Sequence, residues 1–260
     1  MAGIYWLASY PKSGNTWLRF LAGNLVFGAV DSGERLGALV PDIHELADSF
    51  ELPSQPLLVK THFRYSQLMR FATQTSAAIY LLRDPADVLV SNFHYALRSG
   101  ATGGDPREQF NRYFDAFVEA RGDPRWVRMG MGTWEDNVRS WQARQQEFPV
   151  HWIRYEDMLA DCSKVATELC TALRITRTAG AIDEAVRRSS FGRLREIEEQ
   201  DIHERRVGIF YKPYLQVPVD AGFRFMRSGV RGAARREMSE QQWQRFNAAF
   251  GELRRECGYH

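Results

Sequence analysis

The chain has 260 residues, of which 44% are hydrophobic and 13% aromatic, enough apolar surface for one large core. Its 34 basic and 32 acidic residues leave a formal net charge of +2, a balance that argues against a dedicated nucleic-acid or membrane-surface protein. At this length we expect one domain over residues 1–260. No segment approaches the roughly 20 apolar residues of a membrane span, so we expect no membrane insertion.

The cysteines and the start of the chain indicate the compartment. Cys162, Cys170 and Cys257 are odd in number and lack the spacing of a metal site. The chain begins with a strand-like segment, without the basic and apolar regions of a secretory signal. We therefore expect a cytoplasmic protein with reduced thiols and no bound metal.

Four short apolar runs, separated by helical patterns or long connections, predict an α/β fold in which helices flank a central parallel sheet. The runs are Ile4 to Ala8, Leu57 to Val59, Ala77 to Leu82 and Val150 to Ile153. Each run is followed by polar residues, and the carboxyl ends of parallel strands meet at the edge where ligands bind. The sequence therefore predicts one polar rim.

Residues 10–17, between the first strand and the first helix, have the sequence Tyr-Pro-Lys-Ser-Gly-Asn-Thr-Trp. Gly14 permits a tight turn, and we expect the N–H groups of Ser13 to Thr16 to be free donors for a phosphate at the start of the helix. Lys12 adds a cation, and Ser13 and Thr16 add hydroxyls. The segment predicts a phosphate-binding loop whose order differs from the G-x-x-x-x-G-K-[ST] loop of ATPases. The alternative is an ordinary turn with an exposed lysine.

Helix signals organise the rest of the chain. Asp84 and Pro85 predict the start of the helix after the third strand, and Ser239 predicts the cap of an amphipathic final helix. Residues 99–132 could form a mobile cap over a substrate. The helical spacing of three aromatic residues in that segment favours a core position for them, namely Phe110, Phe114 and Phe117.

Residues 10–17 resemble the YPKSGTTW loop of the soluble sulfotransferases, with Asn15 in place of a threonine. In that family the loop holds the 5′-phosphosulfate of 3′-phosphoadenosine 5′-phosphosulfate (PAPS), the sulfuryl donor. The resemblance implies the sulfotransferase fold, with a P-loop-like 5′-phosphosulfate loop. It also implies that the co-substrate contacts Lys12, Ser13, Gly14, Asn15, Thr16 and Trp17.

The end of the second strand, Lys60-Thr61-His62, resembles the KTH sequence of the same family. The resemblance implies that His62 is the catalytic base, that Lys60 contacts the sulfuryl group and that Lys12 neutralises the leaving phosphate. An imidazole can accept a hydroxyl proton near neutral pH. A lone histidine after a strand is otherwise more often structural.

Residues 83–91 resemble the RxxxDxxxS motif, whose arginine and serine hold the 3′-phosphate of the donor. The resemblance assigns this role to Arg83 and Ser91. Their meeting at one phosphate depends on the fold and does not follow from their spacing. The alternative is that Asp84 caps the helix and Arg83 pairs with it.

Residues 225–229 resemble the family's FMRKG segment, which closes over the 3′-phosphate and adenine. Ser228 stands where lysine is usual, so we expect another cation to compensate: Arg231, Arg235 or Arg236. The residues implied to bind the donor are Phe225, Met226, Arg227 and Gly229.

Three further resemblances follow the family order. Residues 154–157 resemble its RYEDL strand end, and residues 189–191 resemble its TSF segment, which places Tyr155 and Phe191 near adenine. Residues 132–141 resemble its GSW…W helix, to which we give a structural role.

These features predict a PAPS-dependent sulfotransferase, similar to bacterial members of the family, that acts on a hydroxyl of a small molecule or natural product. An aromatic-rich cap favours a phenol or hydrophobic alcohol, and we expect a monomer or homodimer. One alternative is an ATP-dependent small-molecule kinase with Mg²⁺ on Asp84 or Asp87. Another is a non-catalytic nucleotide or nucleic-acid binder that uses the basic stretch 187–236, which has twelve Lys or Arg against six Asp or Glu.

Overall fold

Four parallel strands form the central sheet of the computed structural model, which describes residues 3–97, 104–213 and 224–260. The strands are β1 (Ile4–Ala8), β2 (Leu57–Thr61), β3 (Thr75–Leu82) and β4 (Val150–Arg154). Their order is β2-β1-β3-β4, and every neighbouring pair is parallel. The predicted α/β fold with a central parallel sheet is therefore confirmed.

Strand β2 continues two positions beyond the predicted apolar run. Lys60 and Thr61 pair in register with Leu7 and Ala8 of β1. The ladder depends on backbone groups, so it does not stop where the side chains become polar. This extension brings Lys60 to the edge of the sheet that the sequence predicts as the ligand-binding rim.

Twelve helices, counted over the described residues, surround this sheet. They are α1 (Asn15–Phe27), α2 (Gly33–Leu39), α3 (Pro85–Leu97), α4 (Pro106–Glu119), α5 (Pro124–Trp126), α6 (Trp134–Gln142), α7 (Tyr155–Ala160), α8 (Cys162–Ala172), α9 (Ala179–Arg188), α10 (Phe191–His203), α11 (Ala233–Glu237) and α12 (Glu240–Glu256). Short 3₁₀ turns cover Ile43–Glu45 and Ala72–Gln74, and a π turn covers Val127–Met131.

The sheet is covered on both faces, which explains why its strands are continuous apolar runs. Along β3, Tyr80 and Leu82 belong to one buried cluster, which includes residues of α3, α4, α6 and α12. Ile79 and Leu81 belong to a second cluster, with residues of α1, α8, α9 and α10. Successive side chains of a strand point to opposite faces, so β3 contributes to both cores.

The predicted helix starts are present. Asp84 Oδ1 accepts the N–H of Ala86 at 3.0 Å before α3, and Ser239 forms a capping box with Gln242 before α12. In α4, the three phenylalanines of residues 99–132 are buried, which confirms the core interpretation for them. Residues 99–103 of that segment lie outside the described residues.

Two further observations concern the chain as a whole. Within the described ranges, none of the helices combines the length and apolar character needed to cross a membrane. Cys162, Cys170 and Cys257 are free thiols.

Candidate active site

A cavity of about 430 Å³ lies at the carboxyl ends of the strands. It is lined by every residue that the sequence assigns to the site except Ser13, which is buried with 1% of its surface exposed. The predicted rim therefore brings together residues from three strand ends, the first loop and the segment around Phe225.

The backbone of residues 10–17 turns sharply before α1. Gly14 has φ 100°, and a Cβ there would lie 2.6 Å from the ring of Tyr155, so only glycine fits. The N–H groups of Gly14, Asn15 and Thr16 have no hydrogen-bond partner among the described residues. The N–H of Ser13 was predicted as a further free donor, which is wrong, because it donates to the carbonyl of Tyr10 at 3.3 Å.

Several buried polar atoms around this loop also lack a partner among the described residues. They include Ser13 Oγ, Trp17 Nε1 and Arg83 Nε. An unsatisfied buried donor costs about 1–3 kcal/mol. A ligand with many oxygens, such as a nucleotide with two phosphate positions, fits this set of donors.

Asn15 acts through two different groups. Its side-chain amide donates to the carbonyl of Leu7 at 3.0 Å and to Ser9 Oγ at 3.1 Å. These contacts attach the loop to the end of β1. Both amide donors face the strand, so the backbone N–H is the group that remains for a phosphate.

The ammonium of Lys12 lies between two aromatic rings. Its Nζ is 4.2 Å from the ring centroids of both Tyr95 and Phe225. Cation–π contacts of this kind hold a charge close to apolar surface. Phe225, which the family resemblance assigns to the 3′-phosphate and adenine end, therefore contacts the lysine of the loop.

Arg83 connects the loop to the C-terminal part of the site. Its Nη1 donates to the carbonyl of Lys12 at 3.1 Å, its Nη2 donates to that of Val230 at 3.2 Å, and its guanidinium lies 4.2 Å over Tyr155. The alternative that Arg83 pairs with Asp84 is wrong, because Asp84 forms its ion pair with Arg254 at 3.0 Å.

Two buried carboxylates hold the segment 225–234. Glu198 on α10 accepts the N–H groups of Phe225 and Met226 at 2.5 and 2.8 Å. Asp87 on α3 accepts those of Gly232 and Ala234 at 2.7 and 3.0 Å. The segment is therefore fixed to two helices by hydrogen bonds to charged groups, which are stronger than those between neutral groups.

Within this segment, Gly229 and Phe191 touch. Gly229 has φ 61°, and a Cβ there would lie 2.6 Å from the Phe191 ring. None of the three arginines expected to compensate for Ser228 lines the cavity formed by the described residues, namely Arg231, Arg235 and Arg236. Arg235 pairs with Glu240 at 3.2 Å.

His62 is held in one neutral tautomer. Its Nδ1 lies 2.8 Å from the carbonyl oxygen of Ser9, and a carbonyl only accepts, so Nδ1 carries the proton. Burial, together with the charge of Lys60, lowers the pKa of His62 well below 6.5. The ring is thus neutral at pH 7, and Nε2 has the free lone pair that a general base requires.

The backbone on both sides of His62 is also fixed. Asn137 on α6 donates to its carbonyl at 2.9 Å, and His44 Nε2 accepts its N–H at 3.0 Å. Asn137 further accepts the hydroxyl proton of Tyr80 at 2.7 Å. The sequence did not reveal Ser9, His44 or Asn137 as site residues. Ser9 alone carried a signal, as a polar residue directly after a predicted strand.

Lys60 forms an ion pair that the sequence did not predict. Its Nζ lies 2.7 Å from Oδ2 of Asp42. Burial lowers the pKa of Lys60 to about 8, while the carboxylate of Asp42 opposes that shift. Burial alone raises the pKa of Asp42, but Lys60 and His44 hold it well below its usual range. The ammonium thus faces both the cavity and a carboxylate.

The remaining wall of the cavity is largely apolar. It includes Tyr95, Trp126, Met129 and Met131. The indole of Trp126 donates to Asn92 Oδ1 at 2.7 Å. Just before it, the backbone N–H of Asp123 donates to the hydroxyl of Tyr10 at 2.9 Å. This wall is therefore tied to the first residue of the loop and to α3.

Much of the basic stretch 187–236 is engaged in ion pairs on the surface. Arg187 and Arg188 pair with Glu184, Arg193 pairs with Glu196, and Arg206 pairs with Glu204. Paired charges of this kind are typical of a solvated surface and present little net charge to a polyanion.

A family model described as the sulfotransferase domain matches residues 4–258. The chain belongs to the sulfotransferase domain family. This membership confirms the family predicted from residues 10–17, 60–62, 83–91 and 225–229.

Curated relatives agree with this membership. Sulfotransferase 1B1 of Canis lupus familiaris is 26% identical over 73% of this chain, and cytosolic sulfotransferase 1 of Danio rerio is 24% identical over 73%. Each of these two matches spans 65% of the relative's length. Sulfotransferase 1B1 of Mus musculus is 24% identical over 94% of this chain and 80% of its own length.

Solved structures show the same fold. Mouse sulfotransferase SULT7A1 complexed with PAP has a TM-score of 0.69 at 21% identity, covering 97% of this chain and 85% of that one. Retinol dehydratase in complex with androsterone and inactive cofactor PAP has a TM-score of 0.70 at 18% identity, covering 96% and 80%. The sulfotransferase fold class is therefore confirmed.

Proposed function

We propose that this chain is an enzyme that transfers a sulfuryl group from PAPS to a hydroxyl of a small-molecule acceptor. The observation that carries this proposal is the neutral His62 tautomer at a cavity that also contains the unpartnered donors of the first loop. A base and an anion site in one cavity are the two requirements of sulfuryl transfer, which depends on positioning and charge stabilisation more than on covalent chemistry.

The donor site that we propose extends across the cavity. Lys12, Ser13, Thr16 and the N–H groups of the loop hold the 5′-phosphosulfate. Arg83 and Ser91 hold the 3′-phosphate. Adenine lies among the aromatic and closing residues, which are Trp17, Tyr155, Phe191, Phe225, Met226, Arg227 and Gly229. Unpartnered buried polar atoms on Ser13, Trp17 and Arg83 support this arrangement.

In the proposed reaction, the acceptor hydroxyl gives its proton to Nε2 of His62. Its oxygen then forms a bond to sulfur while the bond between sulfur and the bridging phosphate oxygen breaks. Lys12 neutralises the charge that develops on that oxygen, and Lys60 stabilises the oxygens of the moving group. PAPS supplies the activated sulfuryl group.

For the acceptor we propose a phenol or a hydrophobic alcohol. Tyr95, Trp126, Met129 and Met131 offer apolar and polarisable surface beside His62 in the same cavity. The neighbour retinol dehydratase was solved in complex with androsterone, which supports an apolar acceptor for this chain.

The first test is thermal stabilisation by adenosine 3′,5′-bisphosphate (PAP), compared with 5′-AMP and with Mg-ATP. A ligand at roughly one hundred times its Kd stabilises the folded state by about 2.7 kcal/mol. We expect stabilisation by the bisphosphate in EDTA and a weaker effect of 5′-AMP. A preference for Mg-ATP would instead support the kinase alternative.

A matched pair of variants tests the 3′-phosphate site. Ser91 lines the cavity, whereas Ser49 is an exposed serine outside it. S91A should reduce the preference for the bisphosphate over 5′-AMP, and S49A should leave it unchanged. Equal preferences in the two variants would contradict the proposed placement of the 3′-phosphate.

A further inference from the structure

Asp42, in the connection between α2 and β2, gives each of its carboxylate oxygens a different partner. Oδ2 lies 2.7 Å from Nζ of Lys60, and Oδ1 accepts the backbone N–H of His44 at 3.1 Å. The backbone of Asp42 also forms an isolated parallel bridge with Lys60. Both the main chain and the side chain of Asp42 are therefore fixed beside the end of β2.

His44 extends this contact to His62. Its Nε2 accepts the N–H of His62 at 3.0 Å, so the neutral ring carries its proton on Nδ1. The ring packs on Phe63 with 4.2 Å between centroids. Asp42 thus touches Lys60 directly and reaches the backbone of His62 through one intervening residue.

We infer that Asp42 is a positioning residue for sulfuryl transfer, which keeps Lys60 in place as an ammonium and orients His44 against the backbone of His62. The inference rests on the function proposed above, because it assigns Lys60 and His62 to the reacting centre. It adds a residue outside the motifs that carry the family resemblance.

The charged and titratable groups around Lys60 support this role. Asp42 and Glu45 are its acidic neighbours, Arg19 on α1 is a buried cation nearby, and His44 and His62 are the neighbouring imidazoles. Glu45 has its own ion pair with Lys212. Asp42 is therefore the carboxylate that directly contacts the Lys60 ammonium.

The burial of Lys60 determines in which direction its pKa should shift when the Asp42 carboxylate is removed. Burial lowers the pKa of Lys60 to about 8, and Asp42 makes the largest of the contributions that oppose this decrease. Lys60 is therefore charged below about pH 8 and loses its charge as the pH rises through that value. Without the Asp42 carboxylate, the charge is lost at a lower pH.

The first experiment compares the pH dependence of kcat in the wild type, D42N and D48N, with PAPS as donor and 4-nitrophenol and 2-naphthol as acceptors. Asp48 is an exposed aspartate on the same connection and lies outside the cavity lining. The alkaline limb of D42N should move down by about one to three pH units, the usual effect of a close opposite charge. D48N should superimpose on the wild type, and D42E should recover part of the shift.

A second readout needs no acceptor. The chain has four lysines, so the side-chain amines can be followed by NMR in lysine-labelled protein, with Lys60 assigned from K60R. In D42N the Lys60 signal should titrate at a lower pH than in the wild type, and in D48N at the same pH. D42A, which also lacks the carboxylate, keeps the test available if D42N does not fold.

The outcomes separate the inference from the proposed function. If D42N, or D42A in its place, titrates with the wild type in both readouts, the role of Asp42 is overturned. If the Lys60 signal moves as expected but neither PAP stabilisation nor transfer is found, the proposed function fails and the electrostatic role of Asp42 stands.

Discussion

Nδ1 of His62 lies 2.8 Å from the carbonyl oxygen of Ser9, so the backbone after β1 determines the tautomer of a side chain after β2. The adjacent pairing of these strands brings the two residues together. Since a main-chain oxygen supplies the contact, the tautomer depends on the sheet and not on a further titratable side chain.

The first prediction concerns His62 as the proposed general base. Replacing His62 with Asn should lower kcat by about 10²–10⁴-fold, the usual contribution of a general base, and leave the Kd for PAP nearly unchanged. The exposed His203 at the end of α10 provides the matched control, H203N, which should behave as the wild type.

The wild-type pH profile gives a second check on the same residue. The pKa of His62 is lowered, so its imidazole stays neutral to well below pH 6.5, and the proposed base should remain active there. Activity should be lost only as the pH falls through that lowered value. An acid limb at or above 6.5 would contradict a base in this environment.

The second prediction concerns the sharp turn of the loop. In G14A the new Cβ would lie 2.6 Å from Tyr155 at φ 100°, so the loop must move. We expect loss of PAP stabilisation and a decrease of about 1–2 kcal/mol in the free energy of unfolding from the left-handed backbone alone. Calorimetry with and without PAP measures both effects.

Gly37 provides the control for this substitution. It lies inside α2, and a Cβ there meets no atom within 4 Å among the described residues. G37A should bind PAP as the wild type does and gain up to about 1 kcal/mol from helix propensity. Equal loss of PAP binding in both variants would argue against a specific role of the loop.

The third prediction concerns the link between the loop and the apolar wall. Y10F removes the hydroxyl that accepts the N–H of buried Asp123. The orphaned N–H should cost about 1–3 kcal/mol of unfolding free energy. The KM for a phenolic acceptor should rise more than the Kd for PAP, because the wall includes Trp126 and Met131.

Tyr5 allows a matched substitution, since its hydroxyl has no hydrogen bond to any described residue. Y5F should change neither stability nor KM appreciably. A rise in the Kd for PAP that equals the rise in KM for Y10F would show that the hydroxyl supports the whole cavity and not the wall.

The fourth prediction concerns the pH dependence of stability. Burial, with a further contribution from Lys60, lowers the pKa of His44 from 6.5 to about 4. Between pH 6.5 and 4, His44 is therefore protonated in the unfolded chain but neutral in the folded chain. The free energy of unfolding accordingly decreases as the pH falls from 6.5 towards 4. Above pH 6.5 its contribution is constant.

The variant H44F removes that titration and keeps an aromatic ring beside Phe63. Chemical denaturation at several pH values should show that the difference in unfolding free energy between wild type and H44F shrinks as the pH falls across this window. Parallel curves for the two proteins would contradict the pKa shift.

The sequence was sufficient for features that local chemistry determines. Apolar runs predicted β1 to β4 because the sheet is buried on both faces, and Asp84 and Ser239 predicted helix starts because capping is local. The strand ends also predicted one rim, because parallel strands place their carboxyl ends together.

Contacts between distant segments were not predictable in the same way. Asp42 meets Lys60 across 18 residues and Asn137 meets His62 across 75, and no local pattern relates those positions. The same reason explains the partner of Asp84. Arg83 is adjacent in sequence, but the packing of α12 brings Arg254 to the carboxylate.

The segment that covers the proposed nucleotide site is attached at both ends, through hydrogen bonds to the buried carboxylates of Glu198 and Asp87. Residues 227–231 span the interval between the two sets of carboxylate contacts, and Gly229 rests on Phe191 at its centre. Replacement of the product nucleotide by a new donor would then require only a small outward movement of residues 227–231, while the hydrogen bonds at both ends remain intact. Such an opening breaks few hydrogen bonds, so the rate of nucleotide release should respond to substitutions within the span more than to changes in global stability.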